Sequence, residues 1–117
     1  MIADKAKELG RLIGQSDEYA ALKRAQSRLE GAGELGERMQ QLRKMAVKLE
    51  DQAERGTQPP EAEVVAYDQL LSSIQADSLY QAMVAAQSNF DKLMIRVNQQ
   101  ILDGIEKGAT SPIITLG

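Results

Sequence analysis

Cysteine and histidine are both absent from the 117-residue sequence. Without cysteine there is no disulfide, no thiolate nucleophile and no cysteine-ligated zinc or iron–sulfur cluster. Without histidine the chain lacks the commonest general base and the commonest metal ligand of proteins. A Ser-His-Asp triad, a Cys-His pair and a Glu-x-x-His di-iron site are therefore all excluded. We expect the protein to use no cofactor.

Carboxylate pairs on one helix face are the remaining candidates for catalysis. Glu30 with Glu34, and Glu50 with Glu54, have the i,i+4 spacing that places both side chains on the same side of a helix. A metal-carboxylate enzyme is one interpretation of such pairs. A solvated face of an amphipathic helix is their more common origin. We predict that the protein is not an enzyme and that it has no metal site.

Aromatic residues and long apolar runs are also scarce. Aromatics make up 3% of the chain, with one phenylalanine and no tryptophan. The core must then consist of Leu, Ile, Val, Met and Ala, which fill the layers between helices well. No stretch approaches the length of a membrane span, so no membrane insertion is expected. Charged residues between Asp4 and Glu8 interrupt the N-terminal region, which argues against a signal peptide and makes the cytoplasm the simplest location.

The charge is weakly acidic and unevenly spread, with a net value of −3. Residues 1–55 contain 11 basic and 10 acidic side chains, whereas residues 56–117 contain 3 and 7. Because proteins that bind phosphate backbones are usually basic, direct nucleic-acid binding is disfavoured. The alternative that stays open is an RNA-associated helical module with a basic face on the third helix. That face consists of Arg38, Arg43, Lys44 and Lys48.

Apolar residues recur at spacings of three and four along most of the chain, which is the period of an α-helix. This pattern predicts an all-α fold of about five helices, packed as an antiparallel bundle with coiled-coil-like contacts. Ser16 and Asp77 are predicted to cap the second and fifth helices, and Gly56–Pro60 is predicted to be a linker. The predicted helices span residues 2–13, 17–30, 34–55, 61–74 and 79–105.

The fifth helix, from Leu79 to Ile105, is the longest predicted element, at about 40 Å. A compact domain of this size does not need such a helix, so we expect part of its apolar stripe to meet another chain. The third helix carries the most regular heptad, from Leu35 to Ala53. The alternative is that both stripes are ordinary core. The candidate interaction face on these two helices consists of Leu79, Met83, Phe90, Leu93, Met94, Val97, Ile101, Leu35, Met39 and Leu42.

The length of the chain predicts one domain. We expect residues 1–108 to form a single helical domain and residues 109–117 to be a flexible C-terminal tail. Gly104 and Gly108 are expected to fray the end of the long helix. Because the tail contains an apolar cluster, a short segment that docks on a partner is its second interpretation.

Several local patterns together resemble the YlbF/YmcA family of small bacterial helical proteins, the control-of-competence regulators. The resemblance extends over about residues 6–105 and consists of helix patterns and spacings. The matching segments are Ala6-Lys7-Glu8-Leu9, Ser16-Asp17-Glu18-Tyr19, the heptad helix Leu35–Ala53, the linker Gly56–Pro59, and the ending Phe90-x-x-Leu93-Met94-x-x-Val97-Asn98-x-x-Ile101.

The resemblance implies an all-α protein without enzyme activity that associates through its long helices, as a dimer or a higher homo-oligomer. Members of the family look like adaptors that bind one another and an endoribonuclease, and so affect mRNA processing, competence, biofilm formation and sporulation. Some of those complexes hold iron–sulfur clusters on cysteines. This chain departs from them there, because it has no cysteine to offer.

Overall fold

The computed structural model describes residues 1–110, and the five predicted helices are all present in it. Residues 1–110 contain no β-strand, so the predicted all-α fold is confirmed. The helices are α1 (Ile2–Gly14), α2 (Asp17–Glu30), α3 (Gly33–Glu54), α4 (Glu61–Gln75) and α5 (Ser78–Thr110). Each lies within one residue of its predicted start, and only α5 runs well past its predicted end.

Two side-chain caps determine where α2 and α5 begin. The backbone N–H of Tyr19 donates to Ser16 Oγ at 3.1 Å. The backbone N–H of Leu79 donates to Asp77 Oδ1 at 2.9 Å. Each bond satisfies a donor that the first turn of a helix leaves without an intrahelical partner. Both predicted caps are confirmed.

The α3–α4 connection reverses the chain and produces an antiparallel hairpin. Gly56 has a positive φ of 72°, which favours glycine. The N–H of Gly56 donates to the carbonyl of Ala53, and the N–H of Thr57 donates to the carbonyl of Gln52, as in a Schellman motif. Pro60 then stands directly before the first residue of α4, where its missing N–H has no cost.

The α2–α5 pair is a second antiparallel contact, and it contains an apolar cluster. Leu22 and Ala25 of α2 are buried together with Ala86 of α5, and Met83 and Phe90 pack against them. Small residues at the centre of this contact let the two helices approach closely. α2 and α5 pack against each other although the whole α3–α4 hairpin separates them in the sequence.

The molecule is elongated, with extents of 69 × 36 × 20 Å and a radius of gyration of 21.9 Å. A compact protein of this length would have a radius of gyration of about 13 Å. The paired helices therefore form a narrow bundle instead of a globule, and much of the apolar surface stays near solvent.

The C-terminal helix is longer than predicted. α5 has 33 residues and continues through Gly104 and Gly108 to Thr110. A glycine costs a helix only about 1 kcal/mol relative to alanine, which is too little to end it. The Thr110 hydroxyl also donates to two carbonyl oxygens of the last turn, at 3.0 and 3.3 Å. Residues 111–117 of the predicted tail lie outside the described residues.

Candidate interaction surfaces

The predicted interaction face divides into residues that the subunit buries and residues that it leaves accessible. Leu35 is only 2% exposed, so it belongs to the core of the subunit. Met83 and Phe90 pack against the α2–α5 cluster, and the Phe90 ring lies 5.7 Å from that of Tyr19. These three side chains stabilise the fold of the subunit. The half-buried members of the face are Leu79, Leu93, Met94, Val97, Met39 and Leu42.

The last predicted member, Ile101, belongs to a region of α5 on which no other helix of residues 1–110 packs. α2 begins at Asp17, and Glu18 pairs with Arg96 at 3.4 Å, so α2 covers α5 only up to about this level. Beyond it, residues 98–107 are all exposed. Two further large apolar side chains, Leu102 and Ile105, are 62% and 61% exposed there.

α1 leaves the α2–α5 pair at the same end, because it immediately precedes α2. It has no buried residue, and Ile2 and Leu12 are 88% and 53% exposed. Leu9 and Ile13 are half-buried. The exposed apolar side chains at this end of the molecule are called the end patch below. The end patch consists of Ile2, Leu12, Ile101, Leu102 and Ile105.

A second apolar surface lies on the outer side of α5, away from α2. A shallow groove of about 620 Å³ there is lined by Tyr80, Val84 and Ile95, among others. Gln87 donates to Asp91 at 2.9 Å in the lining of this groove, so the apolar surface contains one polar pair. Val84 and Ile95 were missed by the sequence prediction. The signal that could have found them is a second series of apolar residues on α5, offset from the main stripe.

The α3–α4 hairpin presents a third surface, bounded by a polar cluster. Lys48 Nζ lies 2.8 Å from Glu63 Oε1, and Gln52 Nε2 donates to Glu63 Oε2 at 3.3 Å. The hydrogen bond from the Lys48 ammonium lowers the pKa of the Glu63 carboxyl below its ordinary value. Beside this cluster, Met45 and Leu49 line a small pocket of about 220 Å³.

The predicted basic face on α3 is interrupted by ion pairs within the subunit. Arg38 Nη2 lies 3.1 Å from Asp77 Oδ2, and Arg38 Nη1 donates to the hydroxyl and the carbonyl of Ser73. Lys48 is held by its carboxylate partner on α4. Two of the four cations are thus neutralised locally, which disfavours a continuous RNA-binding surface on this helix.

The described residues also bear on two other classes of site. Within residues 1–110, no three or more acidic side chains converge closely enough to hold a metal ion. None of the five helices found there combines the length and the apolar character that a membrane crossing requires.

The comparison with known families identifies the chain. A family model described as control of competence regulator ComK, YlbF/YmcA, matches residues 2–106. The chain belongs to the YlbF/YmcA family. No curated protein and no solved structure matches it. The family match includes α1 and most of α5, so the end patch lies within the YlbF/YmcA region. The family is one of regulatory proteins, as the resemblance implied.

Proposed function

We propose that this YlbF/YmcA-family protein is a cytoplasmic, non-enzymatic adaptor that self-associates and binds protein partners, in the control of mRNA processing, competence or biofilm formation. The observation that carries the proposal is apolar surface left uncovered on an elongated helical subunit. Membership of a family of competence regulators supports a regulatory purpose for that surface.

The exposed area gives the proposal a magnitude. The chain exposes 8987 Å², whereas a compact monomer of 12.8 kDa exposes about 6,300 Å². Residues 111–117 can account for at most about 1,000 Å² of the excess. About 1,700 Å² per chain is left, and a stable interface needs only about 800 Å² from each partner. The subunit thus has enough surplus surface for one interface with its own copy and another with a different protein.

The partners we propose are a second YlbF/YmcA-family protein and an endoribonuclease, as the family resemblance implies. Any iron–sulfur cluster in such a complex would need ligands from the partner, because this chain has no cysteine. This chain would then contribute a complementary shape and apolar contacts to the complex. Recognition through helix faces requires no catalytic residue and fits the absence of histidine and cysteine.

Affinity capture from the native host, with and without ribonuclease treatment, tests this function. Recovery of an endoribonuclease or a second family member, at equal yield after ribonuclease treatment, would support the adaptor. A matched variant, Arg43→Gln with Lys44→Gln, removes the two cations of the predicted basic face that have no ion pair within residues 1–110. It should capture the same proteins as the wild type. Loss of capture in this variant, or after ribonuclease treatment, would favour the RNA-associated alternative. Recovery of the bait alone would contradict the adaptor function.

A further inference from the structure

We propose that the end patch is the self-association surface, and that its occupant is a second copy of this chain. In this arrangement α1 of one copy packs along the α5 segment 97–110 of the other copy, and the reverse contact forms by two-fold symmetry. The inference rests on the proposed function in requiring self-association. It goes further by naming the helices that meet.

First, α1 has little support within its own subunit. It has 13 residues and no buried side chain, and Gly10 lies within it. Isolated helices of about 12–15 residues are marginal in water, and most helical stability in proteins comes from packing an amphipathic face. α1 has such a face, formed by Ile2, Ala6, Leu9 and Ile13. Its own subunit covers that face only in part, at Leu9 and Ile13, and leaves Ile2 and Ala6 exposed.

Second, the α5 segment has an apolar face of the same length as α1. Residues 97–110 span about 20 Å, as do the 13 residues of α1. The apolar stripe that packs against α2 in the first part of α5 continues through Val97 and Ile101 to Ile105, where α2 no longer covers it. A helix of another copy would extend the α2–α5 packing along the same stripe.

Third, charge and area both favour contact between α1 and the α5 segment. α1 contains Lys5, Lys7 and Arg11 against Asp4 and Glu8, an excess of one positive charge. Residues 98–110 contain Asp103 and Glu106 against Lys107, an excess of one negative charge. Contact of α1 with the α5 segment of another copy therefore pairs opposite charges, whereas contact between two α5 segments pairs like charges. The surplus exposed area is sufficient for a stable dimer.

Sedimentation of a double variant tests the surface. Leu102→Glu with Ile105→Glu places charges on side chains that are already exposed in the subunit, and glutamate is a good helix former, so folding should be unaffected. We expect wild type to be a dimer and the variant to be monomeric, with its dimer Kd raised by about a hundredfold or more. The matched control, Val47→Glu with Val65→Glu, changes two exposed residues of the hairpin and should stay dimeric. At a protein concentration low enough to separate the subunits of both variants, their circular dichroism spectra and melting temperatures should be alike.

The outcomes separate this inference from the proposed function. A dimeric end-patch variant would overturn the surface and leave self-association in place. A monomeric hairpin control would also overturn it, because the interface would then lie on α3 and α4. A wild-type protein that is monomeric at high micromolar concentration would overturn both the surface and the self-association that the proposed function contains.

Cross-linking tests which helices meet, with no background because the chain has no cysteine. Chains with Leu12→Cys are mixed with differently tagged chains with Leu102→Cys and treated with a short bismaleimide. We expect the mixed product to exceed the Leu102–Leu102 product at least about fivefold, in line with the charge argument. Val47→Cys replaces Leu12→Cys in the control and should give little mixed product. A predominance of the Leu102–Leu102 product would refute the packing of α1 on α5.

Discussion

Asp77 supports two separate contacts, and substitutions can measure them one at a time. Its Oδ1 accepts the N–H of Leu79 at 2.9 Å and so caps α5. Its Oδ2 accepts from Arg38 Nη2 at 3.1 Å and so ties α3 to the start of α5. Asp77→Ala removes both contacts, and Asp77→Asn keeps a cap oxygen but removes the negative charge. Arg38→Ala removes the tie together with the two bonds to Ser73.

The structure sets the expected size of each loss. An N-cap is worth about 1 kcal/mol. The Arg38 and Asp77 side chains are 28% and 23% exposed, so their pair lies between the surface and the buried case and should contribute about 1–2 kcal/mol. We expect Asp77→Ala to lower the free energy of unfolding by about 2–3 kcal/mol. Asp77→Asn and Arg38→Ala should each lower it by about half as much.

Urea unfolding followed by circular dichroism measures these differences, at one fixed protein concentration because self-association would add to stability. The double variant Arg38→Ala with Asp77→Asn should be little worse than Arg38→Ala alone, because both substitutions remove the same ion pair. If Asp77→Asn were as damaging as Asp77→Ala, the cap would contribute nothing. If the double variant lost the sum of both single effects, the ion pair would contribute nothing.

Three further predictions concern stability. Leu35→Ala should lower the free energy of unfolding in urea by about 3 kcal/mol, because this side chain is 2% exposed. Val47→Ala, at an exposed site, should change that free energy by less than about 0.5 kcal/mol. Ser16→Ala should lower the free energy of unfolding by about 1 kcal/mol and Ser16→Thr by much less, since only alanine removes the cap oxygen. Equal losses in the two variants would refute the cap. The hydrogen bond from Lys48 lowers the pKa of the Glu63 carboxyl. The stabilising effect of this bond is therefore present above the ordinary glutamate pKa of about 4.3. It is lost as the pH falls through the lower pKa that the carboxyl has in the folded protein. Wild type should therefore melt above Glu63→Gln at pH 7, and this gap should narrow as the pH is lowered through the acid range; a gap that did not narrow as the pH fell would contradict this.

Local patterns in the sequence predicted the helices because both the period and the cap chemistry are local. The hydroxyl of Ser16 and the carboxylate of Asp77 reach backbone groups only three and two residues away. The Gly56 turn is local as well, since its positive φ and its two carbonyl partners lie within one turn of the end of α3. Such interactions can be inferred from a few neighbouring residues.

The pairing of helices could not be predicted in the same way. A heptad shows that a face is apolar but not which helix covers it, so Leu35 and Met39 look equivalent in sequence although one is buried and the other half-buried. Arg38 has Glu34 one turn earlier on its own helix, yet it pairs with Asp77, 39 residues away. α2 covers one part of the α5 stripe and leaves the end patch uncovered, depending on where α2 begins beside α5. That position is set by tertiary packing and cannot be inferred from the period of either helix.

The separation of α2 from α5 along the chain has a consequence for how the protein folds. α3 and α4 are neighbours in sequence, so their hairpin forms by closing a short loop, whereas the α2–α5 contact must close a loop that contains the whole hairpin. On the ribosome, Leu22 and Ala25 are made long before Ala86, and their apolar face stays uncovered until most of α5 has emerged. We therefore expect docking of α5 to be the late step of folding, and the nascent chain to be most prone to aggregation just before it.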